Sequence, residues 1–137
     1  MKYLQNWGVA FLAGCTLLLS ACSIQMDDEE KLRDIEFTVV DQREIPEELG
    51  ARIEKEKAEA FRFTFADEGW LYLARGYGRK DTGGYSVEVT ECYESTNAVC
   101  LRTRLRGPSR DEEITEEATW PYIVVKMEYC DKHVIFQ

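Results

Sequence analysis

Residues 86–105 read SVEVTECYESTNAVCLRTRL, two runs of alternating polar and apolar residues around a short polar stretch. Alternation with a period of two is typical of a strand that buries one face, and two such runs around a tight turn predict a β-hairpin. We place the turn at residues 95–97 and expect Asn97 to adopt the left-handed backbone conformation. This hairpin makes antiparallel β-sheet the main expected structure of the chain.

Charge and sulfur together predict the register of this hairpin. If Cys92 faces Cys100, then Glu88 faces Arg104, which pairs opposite charges across the strands. The other pairs in this register are Thr90 with Arg102 and Val87 with Leu105. Residues directly opposite in an antiparallel pair lie within disulfide range. We therefore expect a Cys92–Cys100 disulfide in an oxidising compartment and none in a reducing one.

Upstream, the sequence predicts a strand followed by a helix. Residues 35–40 are β-branched and aromatic, which is typical of a strand. Pro46 suits the first turn of a helix, where its missing N–H removes no hydrogen bond. Leu49, Ile53 and Ala60 fall on one stripe at helical spacing among charged residues. We expect one amphipathic helix packed on a sheet.

A second hairpin is predicted around a turn at residues 67–69, before a strand at residues 70–75. Three phenylalanines alternate along its first arm and are expected to be core: Phe61, Phe63 and Phe65. The later strands are expected at residues 122–127 and 134–136. The whole pattern predicts an α+β fold with about seven mainly antiparallel strands, as a sandwich or partly open barrel, and one helix near the N-terminus of the mature domain.

The start of the chain has the three parts of an export signal. Lys2 is positively charged, residues 7–19 are almost wholly apolar, and Leu19-Ser20-Ala21-Cys22 places small residues before a cysteine. The apolar run is shorter than the roughly 20 residues that a membrane-spanning helix needs. This ending resembles the bacterial lipoprotein signal, in which the cysteine thiol receives a diacylglyceryl group and the peptide is cut before it.

We therefore expect a signal peptide at residues 1–21 and a mature chain anchored through Cys22 by diacylglycerol and palmitate to the extracytoplasmic side of the cell membrane. Two alternatives remain open: an ordinary secretory leader, and use of Cys15, which would leave an apolar core of only about seven residues. Residues 22–34 contain an acidic run and no regular apolar spacing, which predicts a tether. The single globular domain is then expected at residues 35–137.

The formal net charge of −9 excludes one class of partner. An acidic domain repels the phosphate backbone, so we expect no binding to nucleic acid. The apolar content of 45% is still enough to form a core, which argues against disorder.

Residues with catalytic or metal-binding chemistry form no recognised arrangement. His133 stands near Asp131 and Cys130, but no Gly-x-Ser-x-Gly elbow accompanies them. A zinc site that combined Cys130 and His133 with Cys92 and Cys100 would lack the close ligand pairs of zinc modules. We expect no metal, no cofactor and no enzymatic activity.

Two aromatic segments carry a resemblance to a known family. Residues 82–89 read TGGYSVEV and residues 120–126 read WPYIVVK. With them, residues 76–136 resemble the C-terminal domain of the PrcB family of protease-complex lipoproteins. The family implies a small β-rich lipoprotein domain that serves as an accessory component of a surface protease assembly.

Aromatic side chains in these segments suit protein recognition, because they bring a large contact area with few rotatable bonds. The other interpretation is that they close the ends of the core. The candidate partner-binding residues are Tyr77, Thr82, Gly83, Gly84, Tyr85, Trp120, Pro121 and Tyr122.

The leading hypothesis is a non-catalytic, membrane-anchored binding domain, an accessory or assembly component whose partner is another surface or secreted protein such as a protease. One alternative is an inhibitor module, since the two aromatic segments resemble loops of immunoglobulin-like inhibitors of cysteine proteases. The other is a small hydrolase that uses His133 or Cys130.

Overall fold

A computed structural model describes residues 30–137, which contain eight strands and one α-helix. The strands are β1 (Lys31–Asp34), β2 (Phe37–Val39), β3 (Ala60–Asp67), β4 (Trp70–Tyr77), β5 (Ser86–Ser95), β6 (Ala98–Arg106), β7 (Tyr122–Glu128) and β8 (His133–Phe136). A short 3-10 helix (Gln42–Glu44) precedes α1 (Glu47–Glu56). The expected signal peptide and the acylated Cys22 lie outside the described residues.

The strands form two four-stranded sheets. The first has the order β1-β5-β6-β8 and the second β2-β7-β4-β3. Neighbours are antiparallel except β6 and β8, which are parallel. Side chains from both sheets share one core, in which Leu73, Leu101 and Val125 are fully buried. The predicted mainly antiparallel fold is confirmed as an open sandwich, and no closed barrel forms among residues 30–137.

Helix α1 packs on the outer face of the second sheet. Leu49 and Ile53 are buried against Phe61 and Phe63, which confirms the amphipathic helix and the core role of these phenylalanines. The helix ends at Glu56 and Ala60 begins β3, so the assignment of Ala60 to the helical stripe was wrong. It follows two strands, so it is not the first element of the domain. Within the described range, no helix is long and apolar enough to cross a membrane.

Strand β1 occupies residues that the sequence assigned to the tether. It pairs with residues 93–95 of β5, and Arg33 Nε donates a hydrogen bond to Glu94 Oε1 at 2.8 Å. The ordered domain therefore begins before residue 35, and the fold has eight strands. The prediction missed β1 because the strand is short and polar, and all four of its residues are exposed.

The β3–β4 turn follows the sequence prediction. Glu68 and Gly69 both have positive φ, at 49° and 83°, which is the geometry of a two-residue hairpin turn that matches strand twist. The β5–β6 turn does not. Among residues 30–137, Glu68 is the one non-glycine residue with positive φ, so the left-handed conformation expected for Asn97 is wrong. Instead, buried Ser95 closes the turn: its Oγ accepts from the Ala98 N–H at 3.0 Å.

The predicted β5–β6 register is correct up to Val89 and wrong beyond it. Glu88 faces Arg104 as expected, but a β-bulge at Thr90 shifts the pairing by one residue. Beyond the bulge the pairs are Glu91 with Arg102, Cys92 with Leu101, and Tyr93 with Cys100. One inserted residue turns every later side chain of β5 to the other face of the sheet.

The bulge explains why the expected disulfide does not form. Cys92 points into the sandwich core beside Leu101, whereas Cys100 points to the outer face opposite Tyr93. Side chains on opposite faces of one sheet cannot satisfy disulfide geometry. Cys92, Cys100 and Cys130 are free thiols in this structure.

Candidate protein-binding site

The β5–β6 hairpin has neighbouring strands over only part of its length. β1 pairs with residues 93–95, and the last contact on that side is the Ile35 N–H donating to the Cys92 carbonyl at 3.0 Å. After Ile35 the chain crosses to the second sheet as β2. On the side away from β6, residues 86–91 of β5 therefore have no strand beside them in the described part of the chain. We call these residues the open edge.

A groove of about 390 Å³ lies beside the open edge. Its lining comes from the start of β5, the end of β2, the segment before α1 and the entry to β7. The lining residues are Val39, Val40, Gln42, Ile45, Ser86, Val87, Trp120, Pro121, Tyr122, Ile123 and Val124. Most of this lining is apolar, and Trp120 remains 37% exposed.

The core beneath the open edge is incompletely covered. Val87, Val89 and Leu105 lie on the same face of the first sheet as Leu101, yet each is only half-buried. Leu101 itself is fully buried. The groove thus exposes apolar surface that a further strand would cover.

The Thr-Gly-Gly-Tyr segment packs against the acidic loop at residues 107–119. The Gly83 N–H donates to the Thr115 carbonyl at 2.8 Å, and Thr119 Oγ1 donates to the Thr82 carbonyl at 2.7 Å. Gly84 has a φ of 88°, and a Cβ there would lie 2.7 Å from Pro108 Cβ. Tyr85 packs against Gly107 in the same loop. These candidate residues hold the loop in place.

Tyr77 and Tyr122 close the ends of the core. The Tyr77 hydroxyl lies 2.6 Å from Thr103 Oγ1 and so links the two sheets. The Tyr122 ring lies 6.4 Å from that of Phe61, and burial raises the pKa of Tyr122 above its usual value. For Tyr77 the structure favours packing over a free recognition surface, whereas Tyr122 both packs on the core and lines the groove.

Trp120 and Pro121 line the groove, as Tyr122 also does, whereas the other candidates do not. Lys57 Nζ lies 5.1 Å from the centre of the Trp120 ring, a cation–π contact that orients the indole. The Pro121 carbonyl accepts from the Tyr77 N–H at 3.1 Å. An isolated bridge between Lys80 and Thr119 joins the two predicted aromatic segments. The structure therefore brings both segments to one end of the sandwich.

Sequence reasoning missed the contribution of Ser86, Val87, Val39 and Ile45 to the groove. The alternation in SVEV indicated a strand, but no pattern in a single sequence shows where the neighbouring strand leaves the sheet. The groove exists because β1 is too short to cover all of β5, which only the structure shows.

Cys130 and His133 lie together in another hollow, of about 430 Å³, between β3, β4 and the segment leading into β8. His133 is exposed, and the Tyr129 hydroxyl donates to Asp131 Oδ1 at 3.4 Å. Cys92 and Cys100 do not line this hollow. Residues 30–137 contain no group of three or more metal-binding side chains placed to hold an ion.

These features define a small, mainly antiparallel β-sandwich with one helix on its outer face and a groove along an uncovered strand edge. Residues 71–128 match the family model described as PrcB C-terminal. The match runs from β4 into β7 and contains both aromatic segments and the open edge. It confirms the resemblance seen in the sequence. No curated protein and no solved structure matches the chain.

Proposed function

We propose that this chain is an extracytoplasmic lipoprotein whose β-sandwich binds another surface or secreted protein, as an accessory component of a protease-associated complex. The observation that carries the proposal is the apolar groove beside the open edge of β5. The open edge itself lies within the residues that match PrcB C-terminal. A concave apolar surface next to unpaired main-chain groups suits a protein partner.

The anchor is supported by the sequence Leu19-Ser20-Ala21-Cys22 after an apolar run. Buried acyl chains contribute about 0.8 kcal/mol per methylene, and two chains give a stable attachment where one exchanges. Residues 23–30 would then separate the anchored cysteine from the first strand at Lys31.

A binding role also agrees with the chemistry of the thiol in the sandwich core. Desolvation, with a smaller contribution from nearby Cys100, raises the pKa of Cys92 to about 11. At neutral pH the thiol is then protonated and a poor nucleophile. The lining of the groove beside the open edge is mostly apolar and contains no cysteine, histidine or carboxylate.

Photo-crosslinking in intact membranes tests the proposal. A photoreactive phenylalanine analogue at position 120 lies in the groove, and the same analogue at Trp70, which is exposed on another part of the sandwich, is the matched control. We expect position 120 to give one reproducible adduct with a second protein, and position 70 to give none with that protein.

Recovery of the anchored chain alone, or the same adducts at both positions, would contradict the binding role. A Cys22→Ser variant should release the chain from the membrane fraction; if it stays, the anchor is wrong. Slowing of a cysteine protease by the purified chain would favour the inhibitor alternative.

A further inference from the structure

We propose that the open edge of β5 binds a basic, extended segment of the partner protein as an added β-strand. This inference rests on the proposed protein-binding function and specifies the form and charge of what is bound. Three observations support it: unpaired main chain, an apolar groove beside it, and carboxylates at one end.

The main-chain argument begins with where β1 stops. The last hydrogen bond on that side of β5 is accepted by the Cys92 carbonyl, and in the described structure residues 86–91 have strand pairing only with β6. An unpaired strand edge presents a row of N–H and C=O groups that another extended chain can pair with. Strand addition is a common way in which sheets recognise peptides.

The groove predicts the side chains of the added strand. Successive side chains of an extended peptide point to opposite faces, so every second one would enter the space beside Val87, Val39 and Trp120. Those positions should be apolar, because they would complete the half-covered core. The intervening side chains would face the solvent on the side of Glu88 and Glu91.

Charge favours a basic segment. Ser86, Glu88 and Arg106 line a second hollow with Glu112 of the loop at residues 107–119, so this loop flanks the end of the open edge. Because Glu88 is paired with Arg104 and Arg106, the excess negative charge at this end comes from the loop. The loop contains one basic residue, Arg110, and five acidic ones: Asp111, Glu112, Glu113, Glu116 and Glu117. Lysine or arginine on the added strand would be attracted to this end.

The same charges argue against the other occupants. A second copy of the chain also carries −9, so two copies would repel each other at this edge. The chain's own N-terminal residues enter the domain at Lys31, which faces Ser95 at the far end of β5 from Ser86. The uncovered end of β6 is shorter, and its Arg104 and Arg106 side chains would repel a basic segment.

A displayed library of random peptides of about ten residues, selected on the immobilised full chain in detergent micelles, provides the probe. We expect enrichment of peptides that alternate apolar residues with lysine or arginine. The most enriched peptide is then synthesised. Its binding should slow amide hydrogen exchange in residues 86–91 and leave exchange at the β3–β4 turn unchanged.

Backbone N-methylation of that peptide separates strand addition from simple apolar contact. Methylating the residues whose N–H groups face β5 should weaken binding by about tenfold or more, while methylating the intervening residues should change it little. A Glu112→Lys variant of the protein should weaken binding by about threefold at low salt, and Glu68→Lys, at the β3–β4 turn, should not.

The inference is overturned if no peptide is enriched, if the enriched peptides are acidic, if exchange slows elsewhere, or if both methylation patterns have the same effect. Sedimentation showing a dimer that competes with the peptide would identify a second copy as the occupant and reject the basic partner. If the membrane crosslink at position 120 succeeds while these mapping experiments fail, the binding function stands and only strand addition is wrong.

Discussion

The two halves of the β5–β6 hairpin differ in what surrounds them. The tip half, residues 92–103, has β1 and Ile35 on one side and β8 and Gln137 on the other, and Val99 and Leu101 within it are fully buried. The base half, residues 86–91 and 104–106, has neither neighbour. Polar and apolar residues alternate in the same way in both halves. The difference in burial therefore comes from the neighbouring strands and not from the local sequence.

The bulge at Thr90 lies at the border between the halves. It marks the point where β5 stops being an inner strand and becomes an edge. Bulges at sheet edges limit unwanted pairing, and this one leaves a short edge rather than a long one. The comparison indicates that the tip half supplies stability and the base half is available for binding. Four predictions test that division.

Truncation of one leucine in each half of β6 should have the largest effect on the free energy of unfolding. Leu101→Ala in the tip half should lower the free energy of unfolding by about 2–5 kcal/mol, because it leaves a cavity in a closed core. Leu105→Ala in the base half should cost about 1 kcal/mol, since that side chain is already half-hydrated. Urea denaturation of the full chain measures both. Equal losses would show that the two halves are equally covered.

The rate at which cysteine thiols are alkylated should show how well the tip half is shielded from solvent. With its pKa near 11, native Cys92 has roughly 100-fold less thiolate at neutral pH than an ordinary cysteine. Iodoacetamide should therefore modify half-buried Cys130 well before Cys92, as followed by peptide mass spectrometry, and urea should abolish the difference. Rapid native labelling of Cys92, or a Cys92–Cys100 disulfide after mild oxidation, would contradict the faces assigned to these thiols.

The serines at the two ends of β5 offer a smaller, matched test. Ser95 Oγ accepts from the Ala98 N–H and donates to its carbonyl, so Ser95→Ala should cost about 1–2 kcal/mol of unfolding free energy. Ser86 is exposed at the base, and Ser86→Ala should change stability by less than about 0.5 kcal/mol. Thermal and urea unfolding would measure both variants. A larger loss of unfolding free energy in Ser86→Ala than in Ser95→Ala would contradict the division between a stabilising tip half and an open base half.

Removal of the negative charge of a paired carboxylate should have the smallest effect on stability. Hydrogen bonds from Lys132 and Arg33 hold the pKa of Glu94 below its usual value, and Arg104 does the same for Glu88. A lowered folded-state pKa stabilises the protein above the unfolded-state value near 4.3, and that stability is lost as pH falls through the folded-state pKa.

Glu94→Gln should therefore reduce stability at neutral pH and flatten its fall in acid. Glu88→Gln should do so less, because the Glu88 side chain is 33% exposed and that of Glu94 is 14% exposed. Urea midpoints measured from neutral to acidic pH would test this order. Unchanged acid dependence in Glu94→Gln would show that the ion pairs do not contribute.

Periodicity was sufficient to predict most of the fold from sequence. Alternating residues located the hairpins, and the stripe at Leu49 and Ile53 located the helix, because burial of one face leaves a repeat in the sequence. The bulge at Thr90 was missed although two consecutive polar residues, Thr90 and Glu91, interrupt the alternation there. The unbulged register also paired Thr90 with Arg102, which gave no sign of an error.

The candidate site was predicted only in part. Trp120, Pro121 and Tyr122 do line the groove, while Tyr77 packs between the sheets, and an aromatic residue in a loop looks the same in sequence whichever role it has. The open edge depends on the chain leaving the first sheet at Ile35. The point at which the chain leaves the first sheet depends on the tertiary topology, and no pattern in residues 31–40 predicts it.

The crossing at Ile35 also determines how the domain would respond to mechanical load. Any pull transmitted through the residues before Lys31 acts first on β1, an edge strand held by a few backbone bonds and the Arg33–Glu94 ion pair. Detaching β1 would leave the second sheet and α1 in place and would lengthen the uncovered stretch of β5 from Glu91 towards Ser95. A pull on Lys31 would thereby give the domain a longer pairing surface than it has at rest.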